Sequence, residues 1–350
     1  MAKAIKFLLV WIVVHLPASV VAQPGPSAVV LMYHRFGEDR IPSTNIRLAQ
    51  FEAHLAYLRD NGFTVVPLPQ VVAALQSGAA LPDKAVAITV DDAYISVVRE
   101  AWPRLKRAGY PFTLFVATGA VDRREAGIMS WNDVRALAAE GVTIGGHGHA
   151  HEHLPALSAD QVTADFAAMR ARFQQELGRV PDLYAYPFGE AGEAEFVAAR
   201  AAGFVAAFGS NSGPVYGEAN RYFLPRFAMN ENYGRPERFA LVTNTRPLRA
   251  FDLNPASPVL RDNPPRLSFA VAHPPAGLNG LSCFGPTGAT LPVRVDGARV
   301  AVTPTAPFPP GRARVNCTLR SGGAWYWFGH EMVAGGISEG VRVHARYRAD

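Results

Sequence analysis

The segment AVAITVDDAY, from Ala85 to Tyr94, carries the clearest structural signal in the sequence. Its first six residues are apolar or β-branched without alternation, which predicts a strand buried on both faces. Two adjacent carboxylates, Asp91 and Asp92, follow directly. Neighbouring carboxylates at the end of a buried strand require a cation, a hydrogen-bond donor or a shared proton. An acidic pair in a solvated turn would give the same pattern.

On both sides of this strand, short apolar runs alternate with helical periodicity. Further strands are predicted at residues 28–33, 63–66, 112–117, 142–144 and 183–186. Helices are predicted at residues 51–58, 71–75, 97–108, 131–140, 158–177 and 193–202. This alternation predicts an α/β domain with a mainly parallel sheet, open or closed into a barrel. In such folds the chemistry lies at the carboxyl ends of the strands.

The sequence changes character from about Asn254, where proline becomes frequent and helical periodicity ends. Short alternating segments then predict a small all-β, immunoglobulin-like sandwich. The boundary lies within residues 247–260, so we assign residues 28–250 to the α/β domain and residues 255–350 to the sandwich.

Both cysteines, Cys283 and Cys317, lie in the predicted sandwich. An even cysteine count in an exported chain predicts one disulfide. Two buried free thiols are the alternative.

The N-terminus has the composition of a secretory signal peptide over residues 1–22. Lysines precede an apolar run that ends near Val21, and Ala22 stands at a cleavage point. A membrane anchor is the alternative, but a histidine and a proline shorten the apolar stretch below the roughly 20 residues that span a bilayer. Residues 23–27 are a tether. We expect an exported, periplasmic or extracellular protein without a transmembrane span after cleavage.

The overall composition excludes several classes of protein. Hydrophobic residues make up 49% and charged residues 18% of the 350 residues, which predicts two folded domains and argues against disorder. The net charge of +5 is spread along the chain without a block of Lys and Arg. Nucleic-acid binding requires a concentrated basic surface, so we expect none. Attraction to anionic envelope surfaces is an alternative to ordinary solubility.

A second polar cluster, GGHGHAHEHL at residues 145–154, also follows a predicted strand. It contains four of the ten histidines: His147, His149, His151 and His153. Imidazoles and carboxylates from two strand ends predict a mononuclear Zn²⁺ site, with Fe²⁺, Co²⁺ and Ni²⁺ as alternatives. Spacing does not select the ligands, because a helical turn would pair histidines four apart whereas a strand would align all four. A histidine-rich surface loop is a further alternative.

A third segment, Tyr186 to Gly189 (YPFG), ends another predicted strand. Proline and glycine favour a tight turn around Phe188. Such a turn can present a backbone N–H to a developing oxyanion, although this signal is weak by itself.

Three motifs stand out: TVDDAY at Thr89–Tyr94, HGHAH at His147–His151 and YPFG at Tyr186–Gly189. Together they resemble the motifs of the polysaccharide deacetylase superfamily (NodB homology, carbohydrate esterase family 4). They occur in the family's order, and the likeness covers roughly residues 27–245. It is greatest to the branch of poly-β-1,6-N-acetylglucosamine deacetylases, which also begin with a segment like VLMYHRF. The resemblance implies a (β/α) barrel-like NodB-homology domain.

The resemblance also implies residue roles. Asp92, His147 and His151 would hold the metal, and Asp91 would be the general base that takes a proton from the attacking water. The backbone N–H of Phe188 would join the metal in stabilising the oxyanion.

The family usually takes its general acid from a late Leu-x-x-His motif, which this chain lacks after the YPFG segment. Leu31-Met32-Tyr33-His34 has that pattern at the start of the domain. A circularly permuted order would bring this strand to the same place in the sheet, so we expect His34 to be the acid. A histidine bonded within the core is the alternative.

Several positions depart from the family pattern. Val90 replaces a frequent Phe, Gly148 replaces Ser or Thr, and Ala93 replaces a Gly, which matters only if the backbone there has positive φ. Ala185 occupies the position of an Arg that commonly orients the base. We expect Arg226, in FLPRF, to supply that charge from another strand.

The sequence therefore predicts a metal-dependent N-deacetylase that acts on an exopolysaccharide or wall glycan rich in N-acetylhexosamine. An O-acetyl xylan-type esterase and an inactive glycan-binding or assembly protein are the alternatives. A partner in envelope or exopolysaccharide machinery is expected. The aromatic run Trp325–Phe328 is consistent with sugar stacking or with a strand that buries alternate side chains.

Overall fold

The computed structural model describes residues 25–335. The predicted signal peptide at residues 1–22 therefore lies outside the described residues, as does the start of the tether. Within residues 25–335, no helix has the length and apolar character needed to cross a membrane.

The strands of the described chain are numbered β1 to β20 in order. They are Ser27–Tyr33, Arg35–Phe36, Asn45–Ile46, Thr64–Val65, Ala85–Val90, Phe112–Val116, Thr143–Gly146, Leu183–Ala185, Ala206–Phe208, Val215–Tyr216, Phe227–Ala228, Arg246–Pro247, Ala250–Asn254, Leu267–Val271, Ser282–Phe284, Thr290–Leu291, Val293–Asp296, Arg299–Val302, Gly311–Ser321 and Ala324–Ala334.

The α-helices are numbered α1 to α8 in the same way. They are Leu48–Asp60, Leu68–Ser77, Trp102–Ala108, Thr118–Asp122, Trp131–Ala139, Ala159–Leu177, Glu193–Ala201 and Pro236–Thr243. Ser130 and Ser158 begin α5 and α6 as side-chain caps, as serine commonly does at a helix N-terminus.

A curled nine-stranded sheet forms the first part of the molecule. Its strands run in the order β10-β1-β5-β6-β7-β8-β9, with β4 beside β5 and β11 beside β1. From β1 to β9 the neighbouring strands are parallel, so their carboxyl ends meet at one edge. The predicted mixed α/β architecture is confirmed, whereas circular permutation stays a prediction.

The strands of this sheet are buried on both faces, as their unbroken apolar runs predict. One face packs against the surrounding helices, with Leu31, Ile88 and Phe173 among the buried side chains. The other face is covered by a second cluster that includes Phe115 and Phe208 together with Val71 of α2. This packing fixes the edge at which the polar motifs emerge.

The C-terminal part consists of a five-stranded sheet, β12-β20-β19-β15-β16, and a four-stranded sheet, β13-β14-β18-β17. Phe269 on β14 contacts Phe328 on β20, with 4.7 Å between ring centroids. Cys283 and Cys317 face each other on β15 and β19 and form the predicted disulfide. Strands β12 and β13 already belong to these sheets. The immunoglobulin-like class and the limits 28–250 and 255–350 stay predictions.

The aromatic run on β20 is divided between several environments. Trp327 packs edge-on against Phe227 of the curled sheet, with 5.4 Å between centroids, and Phe328 is buried in the sandwich. Trp325 is exposed. Strand alternation separates Trp327 from Phe328, and sugar stacking on the exposed Trp325 stays a prediction.

Candidate active site

Three side chains from two strand ends converge on one point. The Oδ1 atom of Asp92 lies 3.2 Å from Nε2 of His147 and 3.1 Å from Nε2 of His151. One potential ligand atom from each residue lies within 4.8 Å of the others. Asp92 follows β5, His147 follows β7, and both are buried. The parallel sheet therefore brings two distant motifs together.

The loop after β7 turns through left-handed backbone rather than through a helix. Gly148 has φ 77° and His151 has φ 57°, and no helical turn or strand covers residues 147–151. The helical-turn route considered for His147 and His151 was therefore wrong, and so was the aligned-strand alternative. Because the backbone reverses, these two imidazoles meet while His149 turns away to bond Oγ1 of Thr118 through Nδ1 at 2.9 Å.

The hydrogen bonding of His147 fits a cation at this point. Its Nδ1 lies 2.7 Å from the carbonyl oxygen of Ala185, and a carbonyl only accepts, so Nδ1 carries the proton. In the neutral imidazole, Nε2 then points a lone pair at the carboxylate of Asp92. A bound cation, or a proton on Nε2, removes that repulsion. One carboxylate and two imidazoles are a donor set suited to Zn²⁺, with the outer carbonyl fixing the tautomer.

Asp91, next to Asp92, is held by a buried arginine. Arg226 donates from Nη1 to Oδ1 at 2.7 Å and from Nη2 to Oδ2 at 2.8 Å. It also donates to Oγ1 of Thr89 and to the carbonyl of Gly209. Burial alone would raise the pKa of Asp91, but the charge of Arg226 outweighs it and holds the pKa below its usual value. Asp91 is therefore a carboxylate at neutral pH.

Arg226 reaches Asp91 beside Phe115, with 5.5 Å between its guanidinium and the Phe115 ring centroid. Phe115 and Ala185 belong to the same buried cluster. The positive charge beside Asp91 thus comes from Arg226, the residue before β11, as was predicted from FLPRF.

His34 emerges at the same edge, from β1. Strand β1 pairs with β5 up to Tyr33 opposite Val90, which places Nε2 of His34 4.0 Å from Oδ2 of Asp91. Burial lowers the pKa of His34, and this effect outweighs the neighbouring carboxylates Asp92 and Asp91. The predicted acid and the predicted base are therefore neighbours.

The backbone at the acidic pair is left-handed. Asp92 has φ 74° and Ala93 has φ 59°, a region that costs an L-residue about 1–2 kcal/mol. Ala93 therefore has the positive φ at which an alanine in place of the family's usual glycine costs energy. With this backbone conformation the Asp92 carboxylate faces the histidines, whereas the Asp91 carboxylate faces Arg226.

The YPFG segment forms a tight turn beside the cluster of Asp92, His147 and His151. Phe188 has φ 58° and ψ 0°, and Gly189 has φ 76°. A Cβ at Gly189 would lie 2.6 Å from the backbone nitrogen of Ser210, so only glycine fits. The Phe188 ring stacks on His153 at 3.8 Å and contacts His151 edge-on at 4.7 Å.

Two acidic residues that the sequence motifs did not indicate also support this site. The carboxylate of Asp165, on α6, accepts from the backbone N–H groups of His149 at 3.0 Å and Ala150 at 2.7 Å. Glu190 lies 2.5 Å from Nδ1 of His153. Asp165 could have been found as a polar residue within the buried stripe of an amphipathic helix, and Glu190 as the acidic residue that follows YPFG.

Comparison with known proteins identifies the family. A family model described as "Polysaccharide deacetylase" matches residues 78–207. Residues 78–207 therefore belong to a polysaccharide deacetylase domain. The matched range of this deacetylase domain includes Asp91, Asp92, His147, His151 and Phe188, whereas His34 and Arg226 lie outside it.

Individual relatives agree with this assignment. YxkH of Bacillus subtilis, assigned to the polysaccharide deacetylases, is 25% identical over 197 residues, which cover 56% of this chain and 69% of the relative. The poly-β-1,6-N-acetyl-D-glucosamine N-deacetylase of Escherichia coli is 30% identical over 93 residues, 25% of this chain but only 14% of the relative. The solved structure of IcaB from Ammonifex degensii is 28% identical with a TM-score of 0.55, and the match covers 63% of this chain and 98% of IcaB.

Proposed function

We propose that this protein is an exported, metal-dependent deacetylase that removes N-acetyl groups from an N-acetylhexosamine polysaccharide and releases acetate. The observation that carries the proposal is the convergence of Asp92, His147 and His151, with the ion-paired Asp91 directly beside them. The matched family model and the named substrate of the Escherichia coli relative support a glycan substrate.

The metal proposed for this site is Zn²⁺, because the site offers one carboxylate oxygen and two imidazole nitrogens as donors. When bound, a divalent cation would polarise the acetyl carbonyl and lower the pKa of a coordinated water. Asp92, His147 and His151 would hold it.

The other residues then act on protons and on developing charge. Asp91 accepts a proton from the attacking water, and Arg226 keeps this carboxylate ionised and oriented. The backbone N–H of Phe188 donates to the oxyanion that develops as water adds to the carbonyl. His34 takes over the proton from Asp91, 4.0 Å away, and donates it to the departing amine, so that water and the amide yield acetate and a free amine.

The proposed location is periplasmic or extracellular, based on the signal-like residues 1–22. We also propose that the protein works with a partner in envelope or exopolysaccharide machinery. We further propose that the β-sandwich is immunoglobulin-like, based on its two facing sheets of five and four strands.

The proposal is tested by acetate release from β-1,6- and β-1,4-linked N-acetylglucosamine oligomers, with acetylated xylan in parallel. We expect acetate and free amines in equal amounts from the N-acetylglucosamine oligomers. A chelator should abolish release, and Zn²⁺ should restore it. Release from acetylated xylan alone would favour the O-acetyl esterase. Release from none of these glycans by the Zn²⁺-loaded protein would contradict the proposal.

A further inference from the structure

An arginine of the C-terminal sandwich reaches the turn that carries Phe188. Arg312 lies on β19 and donates from Nη1 to the Phe188 carbonyl oxygen at 2.7 Å. Its Nε lies 3.4 Å from Oε1 of Glu190, the residue that pairs with His153. One side chain of the sandwich therefore contacts the turn directly and also contacts the acidic residue that holds the histidine stacked on Phe188.

The neighbouring side chain does not replace this contact. Ser210 lies 3.5 Å from the same carbonyl, but its hydroxyl is 2.6 Å from Oε2 of Glu331. A hydroxyl donates one proton, and the short contact with the carboxylate takes it. Arg314 donates to Ser210 and Glu331, at 2.8 Å and 2.6 Å, and so fixes this arrangement. Among these neighbours, Arg312 is the close donor to the Phe188 carbonyl.

The contact matters because the turn is strained. Phe188 has φ 58°, and a non-glycine residue keeps such a conformation only where its surroundings over-determine it. The orientation of the Phe188 N–H depends on the same backbone dihedrals. A donor on the carbonyl side of Phe188 therefore also sets the direction of its amide.

We infer that the C-terminal sandwich holds the oxyanion-binding turn of the deacetylase domain in its active conformation through Arg312. This inference rests on the proposed function. Arg312 is a positioning residue, since it contacts the turn and Glu190 rather than the reacting atoms. It also gives the sandwich a catalytic role beyond stabilising the fold.

The test compares Arg312→Ala, Arg312→Lys and a matched control, Arg320→Ala, in the full Zn²⁺-loaded chain. Arg320 is an exposed arginine on the same strand, eight residues and about 26 Å further along. We expect Arg312→Ala to lower kcat about ten-fold or more, since loss of one oxyanion donor costs more than that. KM should change less than two-fold, because the contact acts in the transition state.

Arg312→Lys should recover part of kcat, and Arg320→Ala should match the unaltered protein. The melting temperature of Arg312→Ala should stay near that of the control, because the Arg312 side chain is 42% exposed. An unchanged kcat in Arg312→Ala, or an equal loss in Arg320→Ala, would overturn the inference.

Amide hydrogen exchange over residues 186–190 gives a readout that does not need activity. Exchange should be faster in Arg312→Ala than in the control variant, because the turn loses its donor. If the unaltered protein releases no acetate, the proposed function fails, and equal exchange rates in the two variants would then overturn the positioning role of Arg312 separately.

Discussion

Asp91 and Arg226 form a two-pronged ion pair in which each side chain is about 1–2% exposed. Removing one partner of such a pair leaves an uncompensated buried charge, which costs about 3–5 kcal/mol. We therefore expect Arg226→Met to lower the free energy of unfolding by that amount in urea denaturation. The double variant Asp91→Asn/Arg226→Met should recover part of this stability but should release no acetate, because it lacks the general base. A single variant as stable as the unaltered protein would contradict this account of the pair.

At the level of residues, the sequence is informative where a motif places unusual chemistry after a strand. The acidic pair and the histidine cluster predict a cation site because carboxylates and imidazoles are costly to bury without one. The contact between Asp91 and Arg226 joins residues 135 positions apart, and only the missing arginine at Ala185 pointed to it. Arg312 gave no signal, because its contact with Phe188 depends on how the sandwich packs on the sheet.

The loop after β7 is the element that decides whether the two histidines meet. Asp165 accepts from two of its backbone N–H groups, and Gly148 packs so closely that a Cβ would lie 3.1 Å from the same carboxylate. We expect Asp165→Ala to weaken Zn²⁺ binding about 10- to 100-fold, as loss of outer supporting bonds does. The measurement is competition with a chromophoric chelator. Asp160→Ala, at the exposed start of the same helix, is the matched control. Equally weakened Zn²⁺ binding in this control would contradict the role of Asp165.

At the level of elements, strands and helices follow from periodicity, whereas loop conformation does not. The α5 and α6 helices begin at Ser130 and Ser158 because a cap followed by helical periodicity is a local signal. The left-handed conformation of His151 and Phe188 has no such signal, since it is imposed by packing and hydrogen bonds from distant residues. This is why the order of the loop histidines in space could not be read from their spacing.

At the level of the whole molecule, two buried imidazoles make stability depend on pH. Burial lowers the pKa of His54 and of His330 to about 4, below the 6.5 of the unfolded chain. Between pH 6.5 and 4 the unfolded chain binds more protons, so the free energy of unfolding falls as pH decreases through this window. Each imidazole should contribute a loss on the order of 2–3 kcal/mol. The loss, followed by urea denaturation, should be smaller in His330→Phe, and an identical pH dependence in that variant would refute the assignment.

The proposed mechanism requires that Asp92 binds the cation and that Asp91 does not. Elemental analysis of the metal in purified Asp92→Ala and Asp91→Asn after Zn²⁺ loading tests it directly. We expect about one ion per chain in the unaltered protein and in Asp91→Asn, and almost none in Asp92→Ala, because only the latter removes one of three ligands. Stoichiometric metal in Asp92→Ala, or loss of metal in a folded Asp91→Asn, would rule out these roles of the two aspartates.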